Sequence, residues 1–268
     1  MSGWLAAACL GALACALGLW LWRARGTNAR LRARLGTTSA ELERLSHAFA
    51  RFAPAELVER VIASGVPTRG ERKEVTALFA DLFGFTPLSE CVDPSVLVRI
   101  LNGYFERMSG AIIAHHGHIS TLIGDGILAL FGALEANPWQ TDDALRAALA
   151  MRAELEAYNG ELAGEGLPRL RIGIGLHRGT GIAGLVGSRE LMQFTVVGSV
   201  VNVAARVQAL TREHDVDILV TTPVRDALDP RFALRPLPPS RLKGIAEPVA
   251  TFAVLAQPAA LAQAETLD

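Results

Sequence analysis

Two stretches of sequence decide the fold of this chain: Val75-Thr-Ala-Leu-Phe-Ala-Asp-Leu-Phe-Gly-Phe-Thr86 and His118-Ile-Ser-Thr-Leu-Ile-Gly-Asp-Gly-Ile-Leu-Ala-Leu-Phe131. Each is a β-rich apolar run that carries one carboxylate, Asp81 in the first and Asp125 in the second. The Gly-Asp-Gly that divides the second run is typical of a tight hairpin turn. Aspartate is a poor strand residue and is costly to bury unless its charge is compensated. Two aspartates at the ends of neighbouring strands can share a pair of Mg²⁺ or Mn²⁺ ions.

Both aspartates also have a simpler interpretation as ordinary turn residues. Gly-Asp-Gly alone favours that interpretation, because Asp and Gly are common in hairpin turns. Asp81 fits it less well, since it follows a mostly apolar run and precedes Leu-Phe-Gly-Phe-Thr. The turn from Gly84 to Thr86 leads towards a helix, and backbone N–H groups at such a turn can bind a phosphate.

Three motifs together resemble the class III adenylate/guanylate cyclase catalytic domain. They are Leu-Phe-Ala-Asp-Leu-Phe-Gly-Phe-Thr at 78–86, Ile-Gly-Asp-Gly at 123–126, and Phe-Thr-Val-Val-Gly-Ser-Val-Val-Asn-Val-Ala-Ala-Arg at 194–206. They occur in the family's order, which is a more specific signal than one short glycine pattern. The resemblance covers the body of the chain and not its N-terminal segments. It implies a reaction that joins the ribose 3′ oxygen to the α-phosphorus and expels pyrophosphate.

The resemblance assigns a metal and phosphate site to the first two motifs. Asp81 and Asp125 match the family's metal aspartates, and the carbonyl of Leu82 matches its backbone metal ligand. Two Mg²⁺ or Mn²⁺ ions per site are therefore expected. The turn at Phe85 and Thr86 matches the family's contact with the triphosphate.

The third motif supplies the remaining catalytic residues. Asn202 and Arg206 match the family's ribose-positioning asparagine and transition-state arginine, and a spacing of four places them on one face of a helix. Lys243, in Arg-Leu-Lys-Gly, matches a lysine that reaches the terminal phosphates. Taken singly, Asn202 could be a helix N-cap and Arg206 part of a solvated helix face. As a set in the family's order, the functional interpretation is favoured.

The base-reading positions depart from the family pattern. The adenine-selecting lysine of the family lies four residues before the second metal aspartate, and Thr121 stands there. Guanylate cyclases tend to carry Glu at that position, which is absent too. The partner position, usually Asp or Thr in adenylate cyclases, is Thr195, which fits. ATP is the expected substrate, with guanylate cyclase activity and weak activity as alternatives.

The resemblance also implies a homodimer. In this family the metal pair comes from one subunit and the base-reading, Asn and Arg set from the other. This chain carries both sets, so it is complementary to itself, and two equivalent interfacial sites are expected.

The expected fold class is α+β. Strands are predicted at 75–80 and 170–176, helices at 94–115 and 142–158, and a hairpin around Asp125 between the two helices. Strand, helix, hairpin, helix, strand is the ferredoxin-like βαββαβ order. A Gly-rich hairpin through residues 179–187, a helix at 201–210 and extra C-terminal strands are predicted to follow.

The N-terminal segment predicts a membrane anchor. Trp4 to Trp22 is an uncharged apolar run of 19 residues bracketed by tryptophans, long enough to cross a bilayer as a helix. Arginines follow at once, which places the C-terminal side in the cytoplasm. A cleaved signal peptide fits less well, because no basic side chain precedes the run. The predicted organisation is a transmembrane helix at 1–22, a helical connector at 23–68, the catalytic domain at 69–256 and a flexible tail at 257–268, in a single-pass protein of the inner membrane.

Composition and missing motifs limit the other functions. The net charge of −1 gives no case for nucleic-acid binding. A catalytically silent nucleotide-binding or dimerising module has Thr121 as its only support. A diguanylate cyclase needs a Gly-Gly-Asp/Glu-Glu-Phe signature that the chain lacks. The favoured function is a membrane-anchored cyclase that converts ATP to 3′,5′-cyclic AMP and pyrophosphate.

Overall fold

A computed structural model describes residues 70–188, 192–245 and 247–255. In chain order the elements of this part are β1 (Glu71–Leu82), α1 (Phe85–Cys91), α2 (Pro94–Ala114), β2 (His118–Ile123), β3 (Gly126–Phe131), α3 (Gln140–Gly164), β4 (Ile172–Gly187), β5 (Met192–Val197), α4 (Ser199–Glu213), β6 (Ile218–Thr221), α5 (Thr222–Arg225), β7 (Leu234–Pro236) and β8 (Thr251–Val254). The predicted membrane span, connector and tail lie outside the described residues. Among the helices that are described, none has the length and apolarity needed to cross a bilayer.

The described strands form one mixed sheet. Its order is β2-β3-β1-β4-β6-β8-β7, and β5 pairs with β4 alone. The neighbours in β2-β3-β1-β4 are antiparallel, and with the helices between them they make up the predicted βαββαβ unit. β6 joins β4 in parallel, and β8 and β7 continue the sheet in antiparallel pairs. The predicted α+β core with extra C-terminal strands is confirmed.

Helix α2 shows how the local sequence sets an element. Asp93 caps it, because its carboxylate accepts a hydrogen bond from the Ser95 N–H at 2.8 Å, and Pro94 suits the first turn. Its buried residues recur at intervals of three or four: Ile100, Tyr104, Met108, Ala111 and Ile112. This apolar face packs with α3 and one face of the sheet in the main core.

Helix α4 packs on the opposite face of the sheet. In β6, Ile218 and Val220 belong to the main core, whereas Leu219 between them joins a second apolar cluster with Val203 and Val207 of α4. Successive strand residues point to opposite faces, so the two clusters lie on opposite sides of the sheet. This arrangement brings α4 against β1 and β4, near the end of β1.

The prediction of a hairpin turn within residues 179–187 is wrong. The glycines at 179, 181, 184 and 187 lie within the 16-residue strand β4. A side chain on Gly181 would come within 2.3 Å of Val196 in β5, and one on Gly175 within 2.2 Å of the Gln208 nitrogen in α4. Close packing against β5 and α4 therefore explains glycine at 181 and 175, where the chain continues as a strand instead of a turn.

The start of α3 also differs from the prediction. The helix begins at Gln140 without a side-chain cap, and it ends at Gly164 rather than near 158. Its start is fixed from outside the helix, because Gln140 accepts a hydrogen bond from the Thr76 N–H at 3.2 Å and donates one to the Glu74 carbonyl at 3.2 Å. A tertiary contact with β1 thus fixes the start of the helix two residues before the predicted position.

Candidate active site

The two predicted metal aspartates lie together at one end of the sheet. Asp81 is the penultimate residue of β1, and Asp125 lies in the two-residue turn between β2 and β3. Because β1 pairs with β3 from Ala80 opposite Ile127, that turn lies beside the end of β1. The Leu82 N–H donates to the Asp125 carboxylate at 3.0 Å, which ties the strand end to the turn. Gly124 permits the turn, since its φ of 63° lies in the left-handed region.

The electrostatics of this pair favour a bound cation. The pKa of Asp81 is raised to about 6, first by burial and then by the hydrogen bond and charge of Asp125. The Arg212 guanidinium acts in the opposite direction. Two carboxylates and the Leu82 carbonyl form the all-oxygen donor set that Mg²⁺ and Mn²⁺ prefer. The residues present therefore fit the predicted metal site.

An arginine that the sequence analysis missed already contacts this donor set. The Arg212 guanidinium donates to the Asp81 carboxylate at 2.9 Å and to the Leu82 carbonyl at 2.8 Å. It lies in the last turn of α4, where a basic residue is common because it complements the helix dipole. That position gave no specific signal for a site.

A buried tyrosine lies within the electrostatic reach of the carboxylates. Tyr104 of α2 is fully buried, and its hydroxyl has no hydrogen-bond partner among the described residues. Burial raises its pKa, and the charges of Asp125 and Asp81 raise it further. Both causes oppose deprotonation of this phenol.

The predicted triphosphate turn joins β1 to α1. Gly84 precedes the helix with a φ of 67°, and Phe85 begins it and packs against the main core. Thr86 lies in the first turn of α1. The side chain of Thr86 is outside the described part of the chain, so its phosphate contact stays a prediction.

The predicted base-reading positions lie on two strands that meet. Ser120 links β2 to β5, because its hydroxyl lies 2.9 Å from the Thr195 hydroxyl and 3.2 Å from the Phe194 carbonyl. Thr121 is the next residue of β2, beside an irregularity in the β2–β3 pairing. The Gln193 amide donates to the Ser120 carbonyl. The sequence analysis identified Thr121 and Thr195 but missed Ser120 and Gln193.

The three other predicted residues form a second group. Asn202 and Arg206 lie inside α4, whose N-cap is Gly198, so Asn202 is not the N-cap. A Cβ on Gly244 would lie 3.6 Å from an Arg206 guanidinium nitrogen, so Arg206 is next to the turn that carries Lys243. Leu242 holds that turn to α4 through the second apolar cluster.

The structure thus brings the predicted residues into two groups. One is the Asp81, Leu82 and Asp125 group, and the other is the Asn202, Arg206 and Lys243 group. Among the described residues, no hydrogen bond or ion pair joins one group to the other. Arg206 and Lys243 have no ion-pair partner within the described ranges. Both cations are therefore available to an anionic ligand.

Comparison with known sequences identifies relatives of this chain. Residues 68–256 match the family described as the adenylate and guanylate cyclase catalytic domain. Adenylate cyclase 1 of Rhizobium meliloti is 36% identical over 198 residues, which are 73% of this chain and 30% of that protein. The adenylate cyclase of Anabaena cylindrica is 35% identical over 227 residues, which are 81% of this chain and 44% of that protein. The chain therefore spans less than half the length of either relative.

Solved structures share the fold. The adenylyl cyclase CyaB from P. aeruginosa superposes with a TM-score of 0.66 at 25% identity, covering 70% of this chain and 96% of that one. The guanylyl cyclase Cya2 superposes with a TM-score of 0.62 at 30% identity, covering 70% of this chain and 94% of that one. The similar structures thus include both an adenylyl cyclase and a guanylyl cyclase, so structural similarity alone does not select between ATP and GTP.

Proposed function

We propose that this chain, which belongs to the adenylate and guanylate cyclase catalytic domain family, is a nucleotidyl cyclase that converts ATP to 3′,5′-cyclic AMP and pyrophosphate. The observation that carries the proposal is the adjacency of Asp81 and Asp125, joined through the Leu82 N–H at 3.0 Å. Carboxylates held this close at a strand end are costly unless a cation compensates them. Divalent ions carrying a nucleoside triphosphate would meet that need.

The proposed mechanism uses both groups of residues. Two divalent ions, Mg²⁺ or Mn²⁺, held by Asp81, Asp125 and the Leu82 carbonyl would bind the triphosphate and lower the pKa of the ribose 3′ hydroxyl. Asn202 would orient the ribose, and Arg206 would stabilise the charge that develops on the α-phosphate.

The terminal phosphates would be held from two sides. Lys243 would contact them on one side, and the turn at Phe85 and Thr86 on the other. As the bond from the 3′ oxygen to the α-phosphorus forms, the bond to the bridging oxygen breaks. Pyrophosphate leaves with that electron pair, and the 3′ hydroxyl proton passes to solvent.

Base selection in this proposal depends on neutral groups. The Ser120 hydroxyl lies 2.9 Å from the Thr195 hydroxyl, and because either hydroxyl can donate to the other, Thr195 offers a base a neutral group that can donate or accept. Thr121 is neutral and shorter than lysine, so it offers no charged donor to adenine. ATP is therefore proposed as the preferred substrate by a modest margin over GTP.

A homodimer is proposed because the family supplies the two groups of each site from opposite subunits, and this chain carries both groups. The outer face of the β4–β5 pair supports this, since it is apolar and exposed around Thr195. Ile182 lies opposite Val197, and Val186 lies opposite Gln193; all three apolar side chains are exposed. Alternate strand residues share a face, so this apolar surface surrounds the proposed base site. A second copy of the chain would cover this surface. It would also supply the Asn202, Arg206 and Lys243 group to the metal group of the first copy.

Membrane anchoring through Trp4 to Trp22 is also proposed, on the sequence alone. The protein is then expected to sediment with membranes and to resist extraction by carbonate. Release by carbonate would contradict the anchor without affecting the catalytic proposal.

The catalytic proposal is tested by substituting each aspartate. Asp81→Ala and Asp125→Ala should each abolish cyclic nucleotide formation while the circular dichroism spectrum stays unchanged. Glu71→Ala is a suitable control, because it removes an exposed carboxylate at the opposite end of β1. Full activity in either aspartate variant would overturn the metal assignment.

A further inference from the structure

One guanidinium nitrogen lies between two of the proposed metal ligands. Arg212 Nη2 is 2.9 Å from Asp81 Oδ2 and 2.8 Å from the Leu82 carbonyl oxygen. Both contacts are charge-assisted hydrogen bonds, which are among the stronger polar contacts in proteins. The contact joins residues 131 apart in the chain.

We propose that Arg212 is a resident cation of the metal site, which occupies one of the two metal positions until a divalent ion displaces it. This inference rests on the proposed function, because it takes the same oxygens as metal ligands. Arg212 then acts as a positioning residue: it keeps Asp81 and the Leu82 carbonyl directed at a common point, and it opposes metal binding there.

Arg212 and a metal ion cannot share these oxygens. Mg²⁺ binds its oxygen ligands at about 2.0–2.1 Å in near-octahedral geometry, which requires the lone pairs that the guanidinium now uses. The positive charges of the guanidinium and a divalent ion also repel strongly at such short separations. The guanidinium must therefore leave before the metal binds.

The competition concerns one side of the Asp81 carboxylate. Oδ2 accepts from Arg212, whereas Oδ1 lies on the side of β3, 3.6 Å from where a Cβ on Gly126 would be. Asp125 is on that second side, because it is the residue before Gly126 and hydrogen-bonds the Leu82 N–H. A metal between Asp81 Oδ1 and Asp125 would not meet the guanidinium directly.

The guanidinium is free to move away. The Arg212 side chain is 52% exposed, and exposed ion pairs contribute little stability. It also lies 5.6 Å from the centre of the Phe83 ring, a cation–π contact that it can keep after leaving Asp81. Release therefore requires a side-chain rotation and no change in α4.

A neighbouring arginine provides a matched control. Arg171 lies 5.0 Å from the same Phe83 ring, but its ion pairs are with Asp215 at 2.8 Å and Asp217 at 3.9 Å. Removing its charge changes the net charge near the site by the same amount. It leaves the contacts of Arg212 in place.

The test is Mn²⁺ binding without nucleotide, with free Mn²⁺ measured by electron paramagnetic resonance. Arg212→Gln should lower the Mn²⁺ dissociation constant about threefold to tenfold relative to wild type. Arg212→Lys keeps the charge and should give an intermediate value. Arg171→Gln should change the constant by less than about twofold, because its charge is screened and makes no contact with the ligands.

Asp81→Asn separates the failure of this inference from the failure of the proposed function. If Asp81→Asn removes Mn²⁺ binding but Arg212→Gln binds no more tightly than wild type, Arg212 does not compete and the inference is wrong while the metal site stands. If Asp81→Asn binds Mn²⁺ as wild type does, the proposed metal site is wrong and the inference is overturned with it. If Arg171→Gln lowers the Mn²⁺ dissociation constant as much as Arg212→Gln does, the change in net charge alone explains the effect. That result would overturn the inference as well.

Discussion

The backbone N–H of Leu82 donates to the carboxylate of Asp125 at 3.0 Å, across 43 residues of sequence. This hydrogen bond fixes the β2–β3 turn to the end of β1, and it places Asp125 beside Asp81. The pKa of Asp81 is raised to about 6 in consequence of burial and of this neighbour. Contacts of the protein itself therefore hold the pair together, and Arg212 forms an ion pair with Asp81.

The first prediction concerns stability at this pair. A carboxyl group whose pKa is higher in the folded protein than its usual 3.8 destabilises the fold as the pH rises from about 4 through about 6. Asp81→Asn removes that cost, although it also loses the exposed ion pair with Arg212. In EDTA at pH 7.5 the variant should unfold about 2–4 °C above wild type, about 1 kcal/mol.

The melting temperature of the purified protein at several pH values checks this. The two proteins should converge near pH 4, where Asp81 is protonated. A variant less stable than wild type at pH 7.5 would show that the ion pair with Arg212 outweighs the burial cost of Asp81.

The second prediction concerns base selection. Thr121→Lys introduces a charged donor at the position of the family's adenine-selecting lysine. A charge-assisted hydrogen bond is worth roughly 1.5–3 kcal/mol, so kcat/KM for ATP should rise by about one to two orders of magnitude. The dependence on metal concentration should stay the same, because Thr121 is not among the proposed ligands. Steady-state kinetics with ATP and GTP check both points, and an unchanged ATP to GTP ratio would remove Thr121 from the base site.

The third prediction follows from the proposal that each site takes its two groups of residues from opposite subunits. Asp81→Ala and Arg206→Ala chains, each inactive alone, should recover activity when mixed. Random exchange makes half of the dimers mixed, each with one intact site, so activity should reach about a quarter of wild type. A mixture of two Asp81→Ala preparations is the control. Absence of recovery, with subunit exchange demonstrated by mass spectrometry, would place each site within one chain.

The fourth prediction concerns His177 and acid. Burial lowers its pKa to about 4, and its ring nitrogen lies 2.9 Å from the Thr221 hydroxyl. Unfolded histidine titrates near 6.5, so the unfolded chain takes up a proton first as the pH falls. Stability linked to His177 is therefore complete above about pH 6.5 and is lost as the pH falls through about 4. His177→Gln should show a shallower fall in melting temperature over this range, and parallel curves would assign the acid sensitivity to other groups.

The sequence predicted the parts of this structure that depend on local pattern. The apolar runs around Gly-Asp-Gly were sufficient to predict the β2–β3 hairpin. The helical spacing of apolar residues was sufficient to predict α2. The glycines of β4 misled the prediction, because Gly175 and Gly181 allow close packing against α4 and β5 and do not form a turn. Local propensity carries no information about such contacts.

The same limit explains which site residues were missed. Asp81, Asp125, Asn202 and Arg206 belong to motifs that resemble those of the cyclase family, so the resemblance was sufficient to predict them. Arg212 lies beyond the last motif, and its contact with Asp81 spans 131 residues and depends on how α4 crosses the sheet. Its role becomes visible only when the fold brings the end of α4 to the end of β1.

The most direct test of the account is product analysis of the purified chain with ATP or GTP and Mn²⁺, with Asp125→Ala as the control. Chromatography with mass detection should find cyclic AMP and pyrophosphate in equal amounts from ATP, less cyclic GMP from GTP, and neither product from the variant. No cyclic nucleotide from either substrate, in wild type and in Thr121→Lys alike, would contradict the account and favour a catalytically silent module.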